Sequence, residues 1–388
     1  MTNNPILGSS FLRHASCFRH ANKRGIEIGL GKRVGIAEVA RNNNKNPSYV
    51  SGTHASCKNV GADDFDLTED GTSDLGTQVE QDIPELVFEK DPEGHKMGFV
   101  AIIGRPNAGK STLLNQILGE QLSIVTEKAQ TTRHKILGIW SEEGHQVAFL
   151  DTPGIITKQK DELEERMMAA VNKAIQDADA LIAIVDVTDR PQEALEMIQP
   201  GSDWNGPPML VLLNKMDSIG TEEGGEIVEW YQANCNASMT LPISALEGEN
   251  VNAVRDWVLE NIPVGPSLYP KDILSESSQR FFVSEIIRKH VFLQYRQELP
   301  YQVTVEVVDF NERRPPTKTY IAANVVVEKE RHVKLLVGAK GSAIKKLSAA
   351  SREEIEAFLG LQVFLELSVK VVPGWRKDEK QLGRFGYQ

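Results

Sequence analysis

The chain has 388 residues, 40% of them hydrophobic, and a formal net charge of −11 at pH 7. That length suits two domains with separate cores and a tail, and no run of about 18 uncharged apolar residues marks a membrane span, so a soluble protein is expected. Three scattered cysteines, Cys17, Cys57 and Cys235, exclude a disulfide framework or a paired CxxC metal site and fit a reducing compartment. The charge divides unevenly, +7 over residues 1–60, −10 over 61–96, −13 over 97–265 and +5 over 266–388, so only the last segment has the sign and place of a nucleic-acid binder.

Residues 1–60 are rich in Arg, Lys, Ser and Asn, poor in acid, and lack the apolar centre of a secretory signal. That composition predicts an organelle transit peptide, with a disordered basic arm as the alternative. The acidic stretch 61–96 reads as a disordered, solvated linker, since few apolar residues are available to offset the entropy of ordering. The fold is expected to begin near Met97.

From there, apolar runs of strand length alternate with amphipathic stretches. Residues 98–103, 146–150, 180–185 and 209–213 are predicted as buried strands, and 111–118, 160–177 and 225–234 as helices. The βαβ pattern predicts an α/β fold with a doubly wound parallel sheet over 97–265, whose ligands gather at the carboxyl ends of the strands. A helix over 252–261 is broken by Pro263-Val264-Gly265-Pro266, which marks a domain boundary. After it come a helix over 277–293 and strands over 301–310 and 319–328, then a lead-in over 334–337 to Gly338-Ala339-Lys340-Gly341. A helix over 342–358 and a strand over 362–371 complete a small α+β domain spanning 266–388.

Five motifs stand in order between residues 104 and 246. The first, Gly104-Arg105-Pro106-Asn107-Ala108-Gly109-Lys110-Ser111 with Thr112 behind it, follows a strand and opens a helix, the context a phosphate loop requires. Its backbone N–H groups and the helix dipole suit phosphate; Lys110 is expected to neutralise β/γ charge and the Ser111 hydroxyl to sit on Mg²⁺. Thr131-Thr132 reads as switch I, Thr132 being favoured as the residue that closes over Mg²⁺. In Asp151-Thr152-Pro153-Gly154, the carboxylate of Asp151 should hold Mg²⁺ through water, and Gly154 should give its N–H to a γ-phosphate.

Asn214-Lys215-Met216-Asp217 chooses the base. Guanine offers an N1–H and an exocyclic amine to the Asp217 carboxylate, a donor pair that adenine lacks. Asn214 is expected to brace the phosphate loop and Lys215 to stack its stem on the base. In Ser244-Ala245-Leu246 the Ser244–Ala245 backbone should approach the guanine carbonyl. Together the motifs predict binding and hydrolysis of GTP. Ile155 stands where many GTPases carry a water-positioning glutamine, so slow intrinsic turnover is expected.

In the C-terminal domain, Gly338 and Gly341 permit close approach of a sugar–phosphate backbone, Ala339 and Lys340 lie between them, and Lys345 and Lys346 add charge just beyond. This is how a KH domain clamps about four single-stranded nucleotides. A bare GxxG is weak; the order of elements and the +5 balance carry the RNA reading.

The stretches GRPNAGKSTLLN, AQTTRHKILGI, DTPGI, SQRFFVSEIIR, ELPYQVTVEV and VFLELSVKVVPGW resemble the Era GTPases, and the likeness runs from about Met97 to Tyr387. The resemblance implies a GTPase domain joined to a type II KH domain that binds the 3′ end of small-subunit ribosomal RNA in a GTP-dependent way. It implies a role in small ribosomal subunit assembly, a monomeric state, and a hydrophobic residue at Ile155. Relatives in the wider group hold K⁺ through the asparagine matching Asn107. Ala339 departs from the polar or basic residue common in the family, which puts RNA contact there in doubt. Residues 1–96 have no counterpart in bacterial forms, and SIVTEKAQTTRHKILGI and VPGWRKDEKQLGRFGY resemble bacterial and plastid forms, so a plastid stroma is expected, with the mitochondrial matrix as the alternative. The rival function is a nucleotide-sensing RNA-binding scaffold with negligible turnover. A tRNA-modifying GTPase or a tandem-domain GTPase fits less well, since the C-terminal domain lacks Cys and the chain has one phosphate loop.

Overall fold

The computed structural model describes residues 91–387 apart from 127, 199–203, 205, 314 and 315. The transit-peptide reading of 1–60 and the linker reading up to residue 90 lie outside the described residues. Among the described residues no helix is long and apolar enough to cross a membrane.

The first module runs β1 (Lys96–Gly104), α1 (Lys110–Leu118), β2 (Ile136–Glu142), β3 (His145–Asp151), α2 (Glu162–Asp177), β4 (Ala180–Asp186), α3 (Pro191–Ile198), β5 (Met209–Asn214), α4 (Thr221–Asn234), β6 (Met239–Pro242) and α5 (Val251–Asn261). Its sheet has the order β2-β3-β1-β4-β5-β6. β3, β4 and β5 are buried throughout, as expected of strands covered by helices on both faces. One apolar layer joins the sheet to α1 and α5, the other to α2, α3 and α4.

The expected parallel sheet holds for five strands. β2 departs from it, running antiparallel to β3 from Ile136 opposite Asp151 to Glu142 opposite His145. Its hairpin places switch I directly before an edge strand.

Two expected boundaries are corrected. Residues 91–96, read as the end of the linker, belong to the fold. The Asp91 carboxylate accepts from Ser267 N at 2.7 Å and Ser267 Oγ at 2.8 Å, His95 Nδ1 lies 2.8 Å from Gly265 O, and Lys96 opens β1. Residues 266–274 also stay with the first module. Gln146 Oε1 of β3 accepts from Leu268 N and Tyr269 N at 2.8 and 2.9 Å, and Ile139 N of β2 donates to Leu274 O at 2.8 Å, tying the chain to the β2–β3 hairpin.

The second module therefore starts at α6 (Gln279–Gln294) and continues with β7 (Thr304–Asn311), β8 (Thr319–Val327), α7 (Glu330–Val337), α8 (Ser342–Leu359), β9 (Val363–Val371) and α9 (Glu379–Arg384). The expected strand start at 301 is replaced by a 3₁₀ turn, Leu299–Gln302. The lead-in expected at 334–337 is the last part of the two-turn helix α7. In the sheet β7-β8-β9 the first pair is antiparallel and the second parallel.

The chain end closes the junction between modules. Trp375, Leu382 and Tyr387 bury themselves against Leu163 and Met167 of α2 and Val326 of β8. Arg376 pairs with Asp161 at 2.7 Å, and Arg166 donates to Tyr387 O at 2.8 Å. The Tyr387 ring stacks on His134 at 4.3 Å and 13°, while Phe281 meets His134 edge-on.

Burial pushes the His134 imidazole down from 6.5 to about 4; Glu285 opposes this, Arg288 and Arg133 add to it, and Gly386 offers a backbone hydrogen bond. The unfolded chain thus binds a proton at higher pH than the folded one, so this contribution is complete above 6.5 and is lost as pH falls toward 4. His134→Phe, which keeps the stacking and cannot titrate, is expected to shrink the stability difference between pH 7 and pH 4 by about 3 kcal/mol in denaturant titrations. An equal difference in parent and variant contradicts a neutral, half-buried His134.

Candidate nucleotide site and nucleic-acid interface

The phosphate loop bridges β1 and α1. Gly109, at φ 103°, cannot be replaced simply, because a Cβ there would lie 2.1 Å from Asn214 Nδ2. Asn214, at the end of β5, spans two loops: its Nδ2 donates to Ala108 O at 2.8 Å and its Oδ1 accepts from Ala245 N at 2.9 Å. The bracing expected of Asn214 is thus a two-sided bond. Lys110 Nζ donates to Gly104 O at 3.2 Å and Arg105 O at 2.8 Å, and burial pushes its ammonium down to about 8 against the opposing pull of Asp151. Pro106, Asn107, Thr112 and Gly154 line the cleft beside it. Asn107 sits exposed at φ 67°, with no hydrogen bond to its amide among the described residues.

Oxygen donors from three motifs meet at the start of α1. Ser111 Oγ donates to Asp151 Oδ2 at 2.7 Å and lies 2.9 Å from Thr132 Oγ1. Asp151 is wholly buried, burial raises its pKa, and its Oδ1 has no partner. Besides Ser111 and Lys110, among the described residues only the Ser123 hydroxyl, itself without another partner, stands near that carboxylate, so the oxygen is left under-satisfied and open to a cation. Two hydroxyls and one carboxylate form a hard set, too small to satisfy a cation alone, which suits Mg²⁺ completed by water and phosphate. Among the described residues no three His, Cys, Asp or Glu side chains gather into an all-protein metal site. Thr131 turns away, bonding Thr126 Oγ1 at 2.7 Å and Lys128 O at 2.8 Å, so Thr132 is the threonine that faces the cluster. Ile155 points into the apolar core, and its N–H donates to Gly104 O at 2.9 Å.

On the base side, Lys215 pairs with Asp186, a partner the sequence did not suggest. Asp217 is exposed and accepts from Ser244 Oγ and Ser218 Oγ; the Ser244 hydrogen bond is the main reason its carboxyl lies below the usual range. Ser244 N donates to Glu249 O, and Ala245 N is taken by Asn214. Leu246 N–H, one position beyond the pair singled out in the sequence, is a donor of this loop without a partner among the described residues, as is Gly248 N–H. The Leu246 side chain is 67% exposed.

In the second module the GxxG loop joins α7 to α8. Gly338 has φ 69°, and a Cβ there would lie 2.7 Å from Ala343 Cβ. Lys340 and Gly341 follow at φ 51° and 77°, so the backbone turns sharply into α8. Ala339, Lys340, Lys345 and Lys346 are exposed, as is Lys334 on α7, and none of these lysines has an ion-pair partner among the described residues. Lys334 was not singled out because it precedes the glycines; it lies in the last turn of α7, which leads directly into the loop.

Residues 99–215 match the 50S ribosome-binding GTPase family and residues 298–376 the KH domain. The chain is 46% identical over 295 residues to the chloroplastic ERA-like GTPase of Oryza sativa subsp. japonica, covering 76% of this chain and 70% of the relative. It is 40% identical to the GTPase Era of Geobacter metallireducens over 294 residues, 75% of this chain and 98% of that one. The chain belongs to the Era family of GTPases. Solved Era structures superpose on it across both modules. Aquifex aeolicus Era bound to GDP and AlF4⁻ gives a TM-score of 0.71 at 34% identity, covering 75% of this chain and 99% of that one. Era in complex with MgGDPNP and nucleotides 1506–1542 of 16S ribosomal RNA gives 0.70 at 35%, covering 76% and 99%. The family and fold expected from the sequence, a GTPase with a KH domain, are borne out.

Proposed function

We propose that this Era-family GTPase binds GTP with Mg²⁺, hydrolyses it slowly, and binds the 3′ region of small-subunit ribosomal RNA through its KH module during assembly of that subunit in the plastid stroma. The observation that carries this is the meeting of Ser111, Thr132 and the under-satisfied Asp151 oxygen beside a phosphate loop, in one chain with a lysine-flanked GxxG loop. An Era relative has been solved with MgGDPNP and 16S RNA together, and relatives from rice, maize and Arabidopsis are chloroplastic.

In this reading the N–H groups from Asn107 to Thr112 and the Gly154 N–H surround the phosphates, and Lys110, still protonated at neutral pH, neutralises the β/γ oxygens. Ser111, Thr132 and Asp151 hold Mg²⁺, which when bound draws negative charge from the β- and γ-phosphates. Asn214 keeps the phosphate loop and the base loop in register, Lys215 lies along the base, and Asp217 reads its edge. Ile155 cannot orient water, so turnover depends on charge supplied at the phosphates, and Asn107, exposed in the phosphate loop, would hold K⁺ there. The GxxG loop, with Lys334, Lys340, Lys345 and Lys346, clamps single-stranded RNA through its backbone.

Asp217→Asn is expected to weaken GTP binding by about 2 kcal/mol and to admit xanthosine triphosphate, whose extra carbonyl accepts from the amide. Unchanged selectivity in competition titrations rejects the base assignment. Turnover is expected to rise when K⁺ replaces Na⁺, and Asn107→Ala to abolish the difference; equal rates in both salts remove the ion from the mechanism. Gly338→Asp with Gly341→Asp is expected to abolish binding of single-stranded small-subunit 3′-end RNA in fluorescence anisotropy at fixed salt, while GTP binding without RNA persists. Retained RNA affinity places the RNA on another surface.

A further inference from the structure

Switch I is held from two sides. Thr132 turns to Ser111, whereas Lys128 and Arg133 turn to the second module. The half-buried Lys128 ammonium donates to Phe292 O and Tyr295 O at the carboxyl end of α6. Carbonyls there lack helical partners, and the helix dipole favours a cation. Arg133, 5% exposed, donates to Val303 O at 2.7 Å, Tyr301 O at 3.0 Å and Pro300 O at 3.3 Å, in the turn between α6 and β7. Among the described residues no carboxylate forms an ion pair with Arg133, so its buried charge rests on those carbonyls together with the Tyr387 hydroxyl and, at longer range, Glu285.

The end of α6 that Lys128 caps is bonded in turn to both flanks of the GxxG loop. Gln294 Nε2 donates to Ala343 O in the first turn of α8 at 2.8 Å, and Tyr295 Oη donates to Leu336 O in the last turn of α7 at 2.8 Å. The covalent connector, by contrast, is fixed to the first module through Gln146 and Ile139. It offers no route to the GxxG loop comparable to this chain of contacts.

We infer that Lys128 and Arg133 are the coupling residues of this chain: they fasten closed switch I to the end of α6, and Gln294 and Tyr295 pass its position to the GxxG loop, so that the nucleotide sets RNA affinity. This rests on the GTPase-and-RNA reading proposed above. Withdrawal of Thr132 from Ser111 must either break the Lys128 and Arg133 contacts or carry α6 with it. In the second course the Gln294 and Tyr295 bonds carry the shift to the flanks of the RNA clamp; in the first the end of α6 loses the cation that caps it. Arg133, Gln294 and Tyr295 stand outside the phosphate cleft and position others; Lys128 also lines that cleft, so each RNA affinity is measured at saturating nucleotide and the nucleotide affinity of Lys128→Gln is measured beside it.

The test uses the full chain, Lys128→Gln and Tyr295→Phe, both mild at half-buried or ring-preserving sites. RNA affinity for single-stranded small-subunit 3′-end sequence is measured at fixed salt with a non-hydrolysable GTP analogue and with GDP. The parent is expected to bind more tightly with the analogue, and both variants to bring the ratio of the two affinities close to one. The loss of one positive charge in Lys128→Gln weakens RNA binding in both nucleotide states alike and cancels in the ratio. A parental ratio retained by both variants overturns the inference. Amide hydrogen exchange over residues 331–345, without RNA, separates this from failure of the wider reading. Exchange there is expected to differ between analogue and GDP in the parent and to become equal in Lys128→Gln. If the parent shows no such difference, the relay is refuted whatever the RNA data show; if exchange responds but RNA affinity does not, the relay stands and the nucleotide-gated function fails.

Discussion

Thr132 and Arg133 are neighbours in sequence whose side chains are committed to different modules, one to the Ser111–Asp151 cluster and the other to three carbonyls before β7. Much else in the structure serves that division. The β2–β3 hairpin sets switch I at the sheet edge, the connector fixes that hairpin through Ile139 and Gln146, and the chain end returns to cover His134 with Tyr387. A loop held only by the phosphate cluster would close without consequence for the second module. A loop held only by the second module would have no reason to respond to nucleotide.

The junction must join an acidic module, −13 over 97–265, to a basic one, +5 over 266–388, without using charges that RNA needs. It does so with Lys128, Arg133 and Arg166 from the first module on backbone carbonyls of the second, and with Arg376 of the second on Asp161 of the first. The Glu285–Arg288 pair within α6 lies buried beside His134. Removing one partner of such a pair costs about 3–5 kcal/mol, because the other charge is left buried alone. The lysines around the GxxG loop stay solvated and unpaired among the described residues, available to phosphate.

The nucleotide site was legible because its chemistry is local. Each motif is a short run whose residue types suit phosphate, metal or guanine, and all but the threonine pair, which stands before β2, follow the end of a strand. The central strands were legible because burial on both faces makes them nearly continuous apolar runs. The miss at β2 has the opposite cause: an edge strand ending in Trp140, Ser141 and Glu142 carries a weak signal. Asp91 and His95 sit in an acidic run, and only the returning connector gives them partners. The contacts of Lys128 and Arg133 were invisible because their acceptors are backbone carbonyls, which every residue carries. The choice between Thr131 and Thr132 needed coordinates, since adjacent identical residues differ only in where the backbone aims them.

If one closed form of switch I serves both ligands, their binding energies are linked and the linkage is reciprocal. The most direct test is calorimetric titration of a non-hydrolysable GTP analogue into the full chain, alone and saturated with single-stranded small-subunit 3′-end RNA, at one salt concentration. The account requires the analogue to bind more tightly to the RNA complex, by the same factor by which the analogue tightens RNA binding, with GDP showing no such gain. Equal analogue affinity with and without RNA contradicts it and leaves the GTPase and KH modules as independent binders on one chain.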